Sequence, residues 1–454
     1  MDITIWNIMT DVGIMSVLLM VGVLLKAKVS WIQKTFMPAS FIAGLLGLLF
    51  GPNGLGWLPF SSWIELYPAV LIAVVFASIP IGAVKKRFKE QSSRIRNVWI
   101  YGVFILMLFY AVGLLLTQLF LTPVMNVPVG AGMMLGVGFF GGHGSAAAIG
   151  ETFASLGWEE ATSLGYTSAT IGMVIAVFCG MLIIKRGTNQ NEAHFVSDFK
   201  RLPNELKTGL MPKEKRQSIG ETTLSPNAVD PLLAHIGLIA IAILLAYGAK
   251  IGIEAVFPML SLPLFSFAIL TGILIQWLLR KTKSDDYVDK RVVDRIGGTA
   301  TDLIVMFGIA SINLTVVASY AVPLAILFIV GLLVAYISFR ILAPRTFRTY
   351  WFENAVFSWG YTTGTVAMGV ALLKIVDPEL KSTALEDFGV AYLGIMPFEV
   401  LTLTFLPLIL MSGFGWAYTG LAITICLSLI IVSRSQGWIT SMKYSNDHSR
   451  THSQ

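Results

Sequence analysis

Charged side chains are scarce in this chain. Asp, Glu, Lys and Arg make up 13% of its 454 residues, whereas 55% are hydrophobic. Soluble globular domains carry about 25% charged residues, so this composition excludes an ordinary soluble protein and predicts a chain that crosses a membrane many times. The net charge of +6 does not indicate nucleic-acid binding, because the basic residues lie in short loops between apolar segments.

Cysteine is almost absent, and other familiar signals are missing. Cys179 and Cys426 both fall inside apolar segments, which argues against a disulfide framework, a zinc site or a redox motif. Asp2 and Asp11, rather than basic residues, precede or begin the first apolar run, so that run predicts a span and not a cleaved signal peptide. No nucleotide-binding Gly-x-x-x-x-Gly-Lys-Ser/Thr loop occurs, so direct ATP drive is not expected, and we expect no metal centre and no cofactor.

Long apolar runs are what the chain has in abundance. A membrane helix needs about 20 apolar residues, and eleven runs of about that length predict spans: 6–25, 36–56, 64–84, 98–121, 164–184, 232–257, 262–279, 298–320, 321–343, 385–411 and 415–433. Two more apolar, Gly-rich stretches, about 130–157 and 352–376, are each interrupted in the middle. We interpret both as re-entrant hairpins.

The distribution of Lys and Arg predicts the orientation. With the N-terminus outside and the C-terminus in the cytoplasm, the predicted inner segments hold every one of the 32 basic residues except Lys250. This asymmetry is what the positive-inside rule requires. It also supports the two hairpins, because treating either one as a full span would move every later loop to the other side.

The predicted fold is an all-α polytopic membrane protein with two inverted-topology repeats. Each repeat has five transmembrane helices and a re-entrant hairpin, and one extra helix follows at the C-terminus. Weak internal similarity agrees, since 71–79 resembles 303–311 and 144–150 loosely resembles 364–369. The predicted units are 1–185 for the first repeat, 186–231 for a cytoplasmic linker, 232–411 for the second repeat and 412–454 for the extra helix and tail.

The Gly-rich run 141–150 is the strongest functional signal. Broken backbone at membrane depth must be paired inside the protein or line a wet cavity, and transporters use such segments to hold substrate at the midplane. Helix N-termini favour anions, and Gly lets their N–H groups approach a ligand. A flexible external loop, or glycines that merely allow tight helix packing, are the alternatives. The predicted substrate-binding residues are Gly141, Gly142, His143, Gly144, Ser145, Gly360, Thr362, Thr363, Gly364 and Thr365.

Two acidic residues within predicted spans indicate an ion site. Intramembrane carboxylates are costly and usually functional. Glu399 shares a helical face with Tyr392 and Thr402, and Pro397 frees nearby carbonyl groups. Asp302 lies near the inner end of its span, where solvation at the interface is an equally good explanation. Hydroxyls and carbonyls suit Na⁺, and the predicted ion-binding residues are Glu399, Thr402, Thr167, Thr170 and Asp302.

Three features together resemble the bacterial sodium/glutamate symporter family. They are Gly-Gly-His-Gly-Ser-Ala at 141–146, the five-plus-five inverted arrangement, and the Gly/Thr-rich stretch 360–369; the resemblance covers roughly 10–411. It implies a Na⁺-driven importer of an acidic amino acid in the bacterial inner membrane, a homodimer, and a transport domain that moves against a fixed scaffold. The second hairpin, at 359–365, is bulkier and richer in hydroxyls than the family pattern, and the last span is additional. No intramembrane Arg is available for a second substrate carboxylate, so glutamate itself comes from the resemblance.

Two other functions compete with a symporter. A cation/proton antiporter also uses broken helices and buried acids. An intramembrane enzyme would need a nucleophile and a base at depth, and His143 with Ser145 is the one nearby pair. Their i,i+2 spacing points the side chains apart on a helix, so we expect no enzyme. The expected partners are the lipid bilayer, a small carboxylate and Na⁺, and no nucleic acid.

Overall fold

The computed structural model describes residues 5–33, 35–83, 92–195, 205, 208–257, 262–378 and 380–439. These residues form helices joined by turns, and none of them is in a β-strand. Parts of the predicted cytoplasmic segments, 84–91 and 196–204, and the tail 440–454 lie outside the described residues.

Fourteen main helices can be followed in the described part of the chain. In order they are α1 (Ile5–Lys28), α2 (Ala39–Phe50), α3 (Tyr67–Ser78), α4 (Ser92–Leu116), α5 (Gly142–Ser155), α6 (Glu160–Asn189), α7 (Pro231–Val256), α8 (Leu264–Lys281), α9 (Lys290–Ala310), α10 (Ala321–Ile337), α11 (Trp351–Thr363), α12 (Val366–Val376), α13 (Ala384–Met411) and α14 (Gly415–Ser435). Shorter helical segments occur at Ser30–Gln33, Ser62–Glu65, Val129–Gly132, Met133–Gly136, Lys213–Lys215, Asp285–Tyr287 and Leu314–Ser319.

Eight helices of the described residues are long and apolar enough to cross a membrane, so the chain is a multi-pass membrane protein. They are Trp6–Lys28, Ser93–Met125, Glu160–Asn189, Pro231–Val256, Leu264–Lys281, Ala321–Thr346, Ala384–Met411 and Gly415–Ser435. Each corresponds to a predicted span. The other three predicted spans contain shorter or more charged helices. The spans 36–56 and 64–84 contain α2 and α3, each of 12 residues, and 298–320 is divided between α9 and the short helix Leu314–Ser319.

Helix ends follow from local chemistry. Asp230 accepts hydrogen bonds from the N–H groups of Leu232 and Leu233, and Pro231 occupies the first turn, so α7 has both a side-chain cap and a residue with a preset φ. Lys and Arg occupy the last turns of α1, α8 and α14, where positive charge stabilises a helix C-terminus.

Two helices end in the same unusual way. A π turn, Thr117–Leu121, continues α4 and leads into the four-residue helix Thr122–Met125. A π turn, Ser338–Leu342, continues α10 and leads into Ala343–Thr346. Proline is the second residue of both short helices. The same succession of α-helix, π turn and short Pro-containing helix therefore occurs once in each half of the chain.

The helices pack in two groups, and each group takes helices from both halves. In the first group α1 packs on α2, α7 packs on α8, and α9 packs on both α2 and α3. In the second group α4 packs on α13 and α14, while α6 packs on α5, α11 and α12. The helix α5 also touches α3 and α9, so it lies where the two groups meet.

Candidate functional site

The first Gly-rich segment is helical on both sides of a break at Gly142. A π turn, Val137–Gly141, precedes it and α5 follows it. Gly142 has φ +62°, a conformation that costs glycine little and other residues more. No side chain caps the start of α5, so N–H groups of its first turn have no partner within the helix.

The second segment breaks at Gly364 and Thr365. The helix α11 ends at Thr363 and α12 begins at Val366, with extended backbone at Thr365 between them. Thr365 Oγ1 accepts a hydrogen bond from the N–H of Met368 at 3.3 Å and caps α12. The helices α11 and α12 pack on each other, and a Cβ at Gly360 would lie 2.5 Å from backbone atoms of Gly369.

The two breaks meet. A Cβ added to Gly142 would lie 3.1 Å from the methyl carbon of Thr365 and 3.2 Å from the carbonyl oxygen of Gly364. The starts of α5 and α12 are therefore neighbours, although they are separated by more than 200 positions in the chain. Two helix N-termini at one place produce a region of positive potential with unpaired N–H groups.

The carboxylate of Glu399 lies beside this junction. Ser145 Oγ donates to Glu399 Oε1 at 3.3 Å, and Tyr392 OH donates to Glu399 Oε2 at 3.0 Å. A Cβ at Gly141 would lie 4.0 Å from Glu399 Oε1. The helix α13 thus brings an acidic group beside the first break, and the predicted neighbours Tyr392 and Glu399 do share a face.

His143 is buried at the start of α5. Its Nε2 lies 3.2 Å from Thr170 Oγ1, and its ring stacks on Tyr166 with centroids 6.5 Å apart. Gly144 lies on another side, where an added Cβ would be 3.5 Å from Ile72 of α3. The first break therefore contacts α6 through His143 and the first helix group through Gly144.

The remaining predicted ligands have other partners. Thr362 and Thr363 each donate to a carbonyl of their own helix, α11, and Thr167 donates to the carbonyl of Ser163. Thr402 bonds to Tyr418 of α14 at 2.9 Å instead of joining Glu399. Asp302 is exposed on α9 and accepts from Ser40 Oγ at 2.8 Å, so its hydrogen bond lies within the first helix group and not at the breaks.

A stripe of glycines on α6 holds both broken segments, and sequence reasoning missed it. A Cβ at Gly172 would lie 2.0 Å from the carbonyl oxygen of Gly138 and 2.9 Å from that of Thr363, so Gly172 separates the two segments. The other members of the stripe face α5, α11 or α12: they are Gly165, Gly180 and Gly187. Their spacing of seven or eight residues puts them on one helical face, and that spacing was the signal in the sequence.

Most of the chain matches one known protein family. The model of the family described as sodium/glutamate symporter matches residues 4–378. The match includes both breaks and ends before α13, so Glu399 lies beyond it. No curated protein matches the chain.

Proposed function

Because the chain belongs to the sodium/glutamate symporter family, we propose that it imports an acidic amino acid such as glutamate, or a related carboxylate, by Na⁺-coupled symport. The family consists of membrane transporters and not of enzymes, and its members couple transport to sodium. The observation that carries the proposed site is the meeting of the two breaks at Gly142 and Thr365.

The substrate carboxylate binds at this meeting point. The uncapped first turn of α5 offers N–H groups, and glycine at 142 and 144 keeps side-chain atoms away from this backbone. The other residues proposed to contact the substrate come from the same two broken segments: Gly141, His143, Ser145, Gly360, Thr362, Thr363, Gly364 and Thr365. Each hydroxyl that now donates to its own helix can rotate and donate its proton to a substrate carboxylate instead.

Na⁺ binds beside Glu399. The carboxylate supplies charge and oxygen ligands, and Pro397 lies inside α13, where it removes one backbone N–H and frees a carbonyl. Thr402 lies on the same helix as Glu399, and Thr167 and Thr170 lie on α6, which packs on α5. Asp302, the fifth predicted ion ligand, is exposed and bonds to Ser40 in the first helix group, so it lies apart from this site and fits an interfacial role.

The two halves form an inverted repeat with a re-entrant hairpin in each. Support comes from the matching π turns and short Pro-containing helices after α4 and α10. The two ends of the first hairpin lie close together: a Cβ at Gly130, at its start, would lie 2.6 Å from Trp158 and 3.0 Å from Phe153, near its end. The repeats are 1–185 and 232–411, with the cytoplasmic linker 186–231 between them.

Transport follows an elevator-like alternating-access mechanism. The first helix group is the fixed scaffold, and the second group, which carries both breaks and Glu399, is the moving unit. The separate packing of the two groups supports this assignment. We place the protein in the bacterial inner membrane with the N-terminus outside and the C-terminus in the cytoplasm, and we expect a homodimer, which mass determination in detergent tests.

Uptake by the purified protein in liposomes tests the function. The panel contains L-glutamate, L-aspartate, glutarate and neutral amino acids, each with and without an inward Na⁺ gradient. We expect uptake of an acidic compound that depends on the Na⁺ gradient and is not replaced by a K⁺ gradient. Substrate-free, pH-dependent Na⁺ flux without uptake of any acid would contradict the proposal and favour a cation/proton antiporter.

A further inference from the structure

The imidazole ring of His143 has one nitrogen with a partner and one without. The ring is 1% exposed. Its Nε2 lies 3.2 Å from Thr170 Oγ1, whereas no described residue offers a hydrogen-bond partner to its buried Nδ1. Buried polar atoms without a partner are rare in folded proteins, and this one belongs to the residue next to the meeting point of the two breaks.

The hydrogen-bond network assigns the proton on this ring. A threonine hydroxyl has one proton to donate. Thr170 Oγ1 lies 2.7 Å from the carbonyl oxygen of Tyr166, and a carbonyl can only accept, so the hydroxyl proton goes there. Thr170 Oγ1 must therefore accept from His143 Nε2. A neutral imidazole that carries its proton on Nε2 leaves Nδ1 as a bare acceptor.

A bare acceptor has a different chemistry from the rest of the site. The first turn of α5 and the hydroxyl groups around it offer donors, which suit a carboxylate. The other acceptor, Glu399, receives one hydrogen bond on each oxygen, from Ser145 and Tyr392, and the proposed function assigns its remaining acceptor sites to Na⁺. A substrate carboxylate cannot bond to Nδ1 of His143, whereas an ammonium group can donate to it.

We propose that His143 Nδ1 accepts a hydrogen bond from the ammonium group of the substrate and so selects amino acids over dicarboxylates of the same length. This inference rests on the proposed function and narrows it to α-amino acids. Thr170 is the positioning residue, because its hydroxyl fixes which nitrogen carries the proton. The imidazole lies nearly parallel to the ring of Tyr166, with centroids 6.5 Å apart.

The test compares L-glutamate with glutarate, which has the same two carboxylates and no amine. Both are titrated against the detergent-purified, full-length protein in saturating Na⁺. A hydrogen bond from a charged group corresponds to roughly a tenfold to hundredfold difference in affinity, so the unmodified protein should bind glutamate more tightly by that factor. If it binds both equally, the inference is overturned whatever the variants do.

Two amide substitutions separate the two nitrogens of the ring. In His143→Gln the amide lies near the position of Nε2, where it can still donate to Thr170, but no acceptor remains at the position of Nδ1. In His143→Asn the amide oxygen lies near the position of Nδ1. We expect His143→Gln to lose the preference for glutamate while its affinity for glutarate stays within about threefold, a factor worth less than one hydrogen bond, and His143→Asn to keep most of the preference.

The binding measurements distinguish failure of this inference from failure of the proposed function. If the unmodified protein binds neither compound in Na⁺, symport of an acidic substrate is wrong, and this inference falls with it. If glutamate binding is normal but His143→Gln retains the full preference over glutarate, only the role of Nδ1 is wrong. Circular dichroism and elution as a monodisperse peak establish that each variant is folded.

Discussion

Gly172 of α6 is the position where one methyl group should do the most damage to the site. A Cβ there would lie 2.0 Å from the carbonyl oxygen of Gly138 and 2.9 Å from that of Thr363. Since carbon atoms prefer separations of about 3.5 Å or more, Gly172→Ala must push the first broken segment away by more than 1 Å. Backbone atoms cannot rotate aside as the end of a side chain can, so the segment itself has to move.

The size of the effect follows from overpacking. Inserting a methylene into a packed core costs typically about 1–3 kcal/mol, and we expect the upper end because both obstacles are backbone oxygens. Gly172→Ala should lower the thermal midpoint of the detergent-purified protein by several degrees and weaken substrate binding, because the breaks move apart.

A matched control is available on α7. Gly248 has no atom within 4 Å of an added Cβ and is exposed, and alanine is favoured over glycine in a helix interior by about 1 kcal/mol. Gly248→Ala should therefore unfold no earlier than the unmodified protein and should transport normally. The reasoning is refuted if Gly172→Ala has the same midpoint and the same affinity as Gly248→Ala.

Three further predictions concern charge and orientation. Glu399→Gln keeps the shape of the side chain and removes its charge, so the Na⁺ concentration for half-maximal uptake should rise. The control Glu386→Gln, at the exposed start of the same helix, should leave that concentration unchanged. Equal Na⁺ dependence in both variants would return Glu399 to a structural role. Buried Asp11 accepts from the N–H and hydroxyl of Ser61 and from the hydroxyl of Tyr67, so Asp11→Asn should cost about 2 kcal/mol of stability in thermal unfolding without changing uptake per folded molecule. Single cysteines at positions 55 and 189 in a cysteine-free background should react with an impermeant maleimide from outside and from inside respectively, and reversed labelling would refute the assigned orientation.

The long membrane helices were predictable from the sequence, because they depend only on runs of apolar residues. Each of the eight long apolar helices corresponds to a run of the required length, because a continuous apolar segment has few alternatives to a membrane helix. The helices α2 and α3 were predicted too long, since apolar residues continue past both helix ends as turns. Hydropathy does not distinguish a helix from an apolar turn that is buried inside a protein.

The position of both breaks was also readable, because glycine and hydroxyl residues interrupt the apolar pattern there. The partners of the individual side chains were not. Thr402 lies three positions from Glu399 on α13, yet it bonds to Tyr418, because the extra helix α14 packs close enough to compete for its hydroxyl. The periodicity of one helix predicts which face a residue occupies but not which neighbouring helix covers that face.

The glycine stripe of α6 explains why the two breaks can meet at all. Two broken segments that meet need a common surface on which both can pack, and a helix with a side chain at each contact would keep them apart. Gly165 contacts Ala146 of α5, Gly172 contacts both segments, and Gly180 and Gly187 contact α11 and α12. The helix α6 is therefore a shared support, with α5 toward one end and the second segment toward the other. It follows that substitutions along this stripe should affect substrate binding most strongly at Gly172, where both segments depend on the same missing side chain, and progressively less toward Gly187.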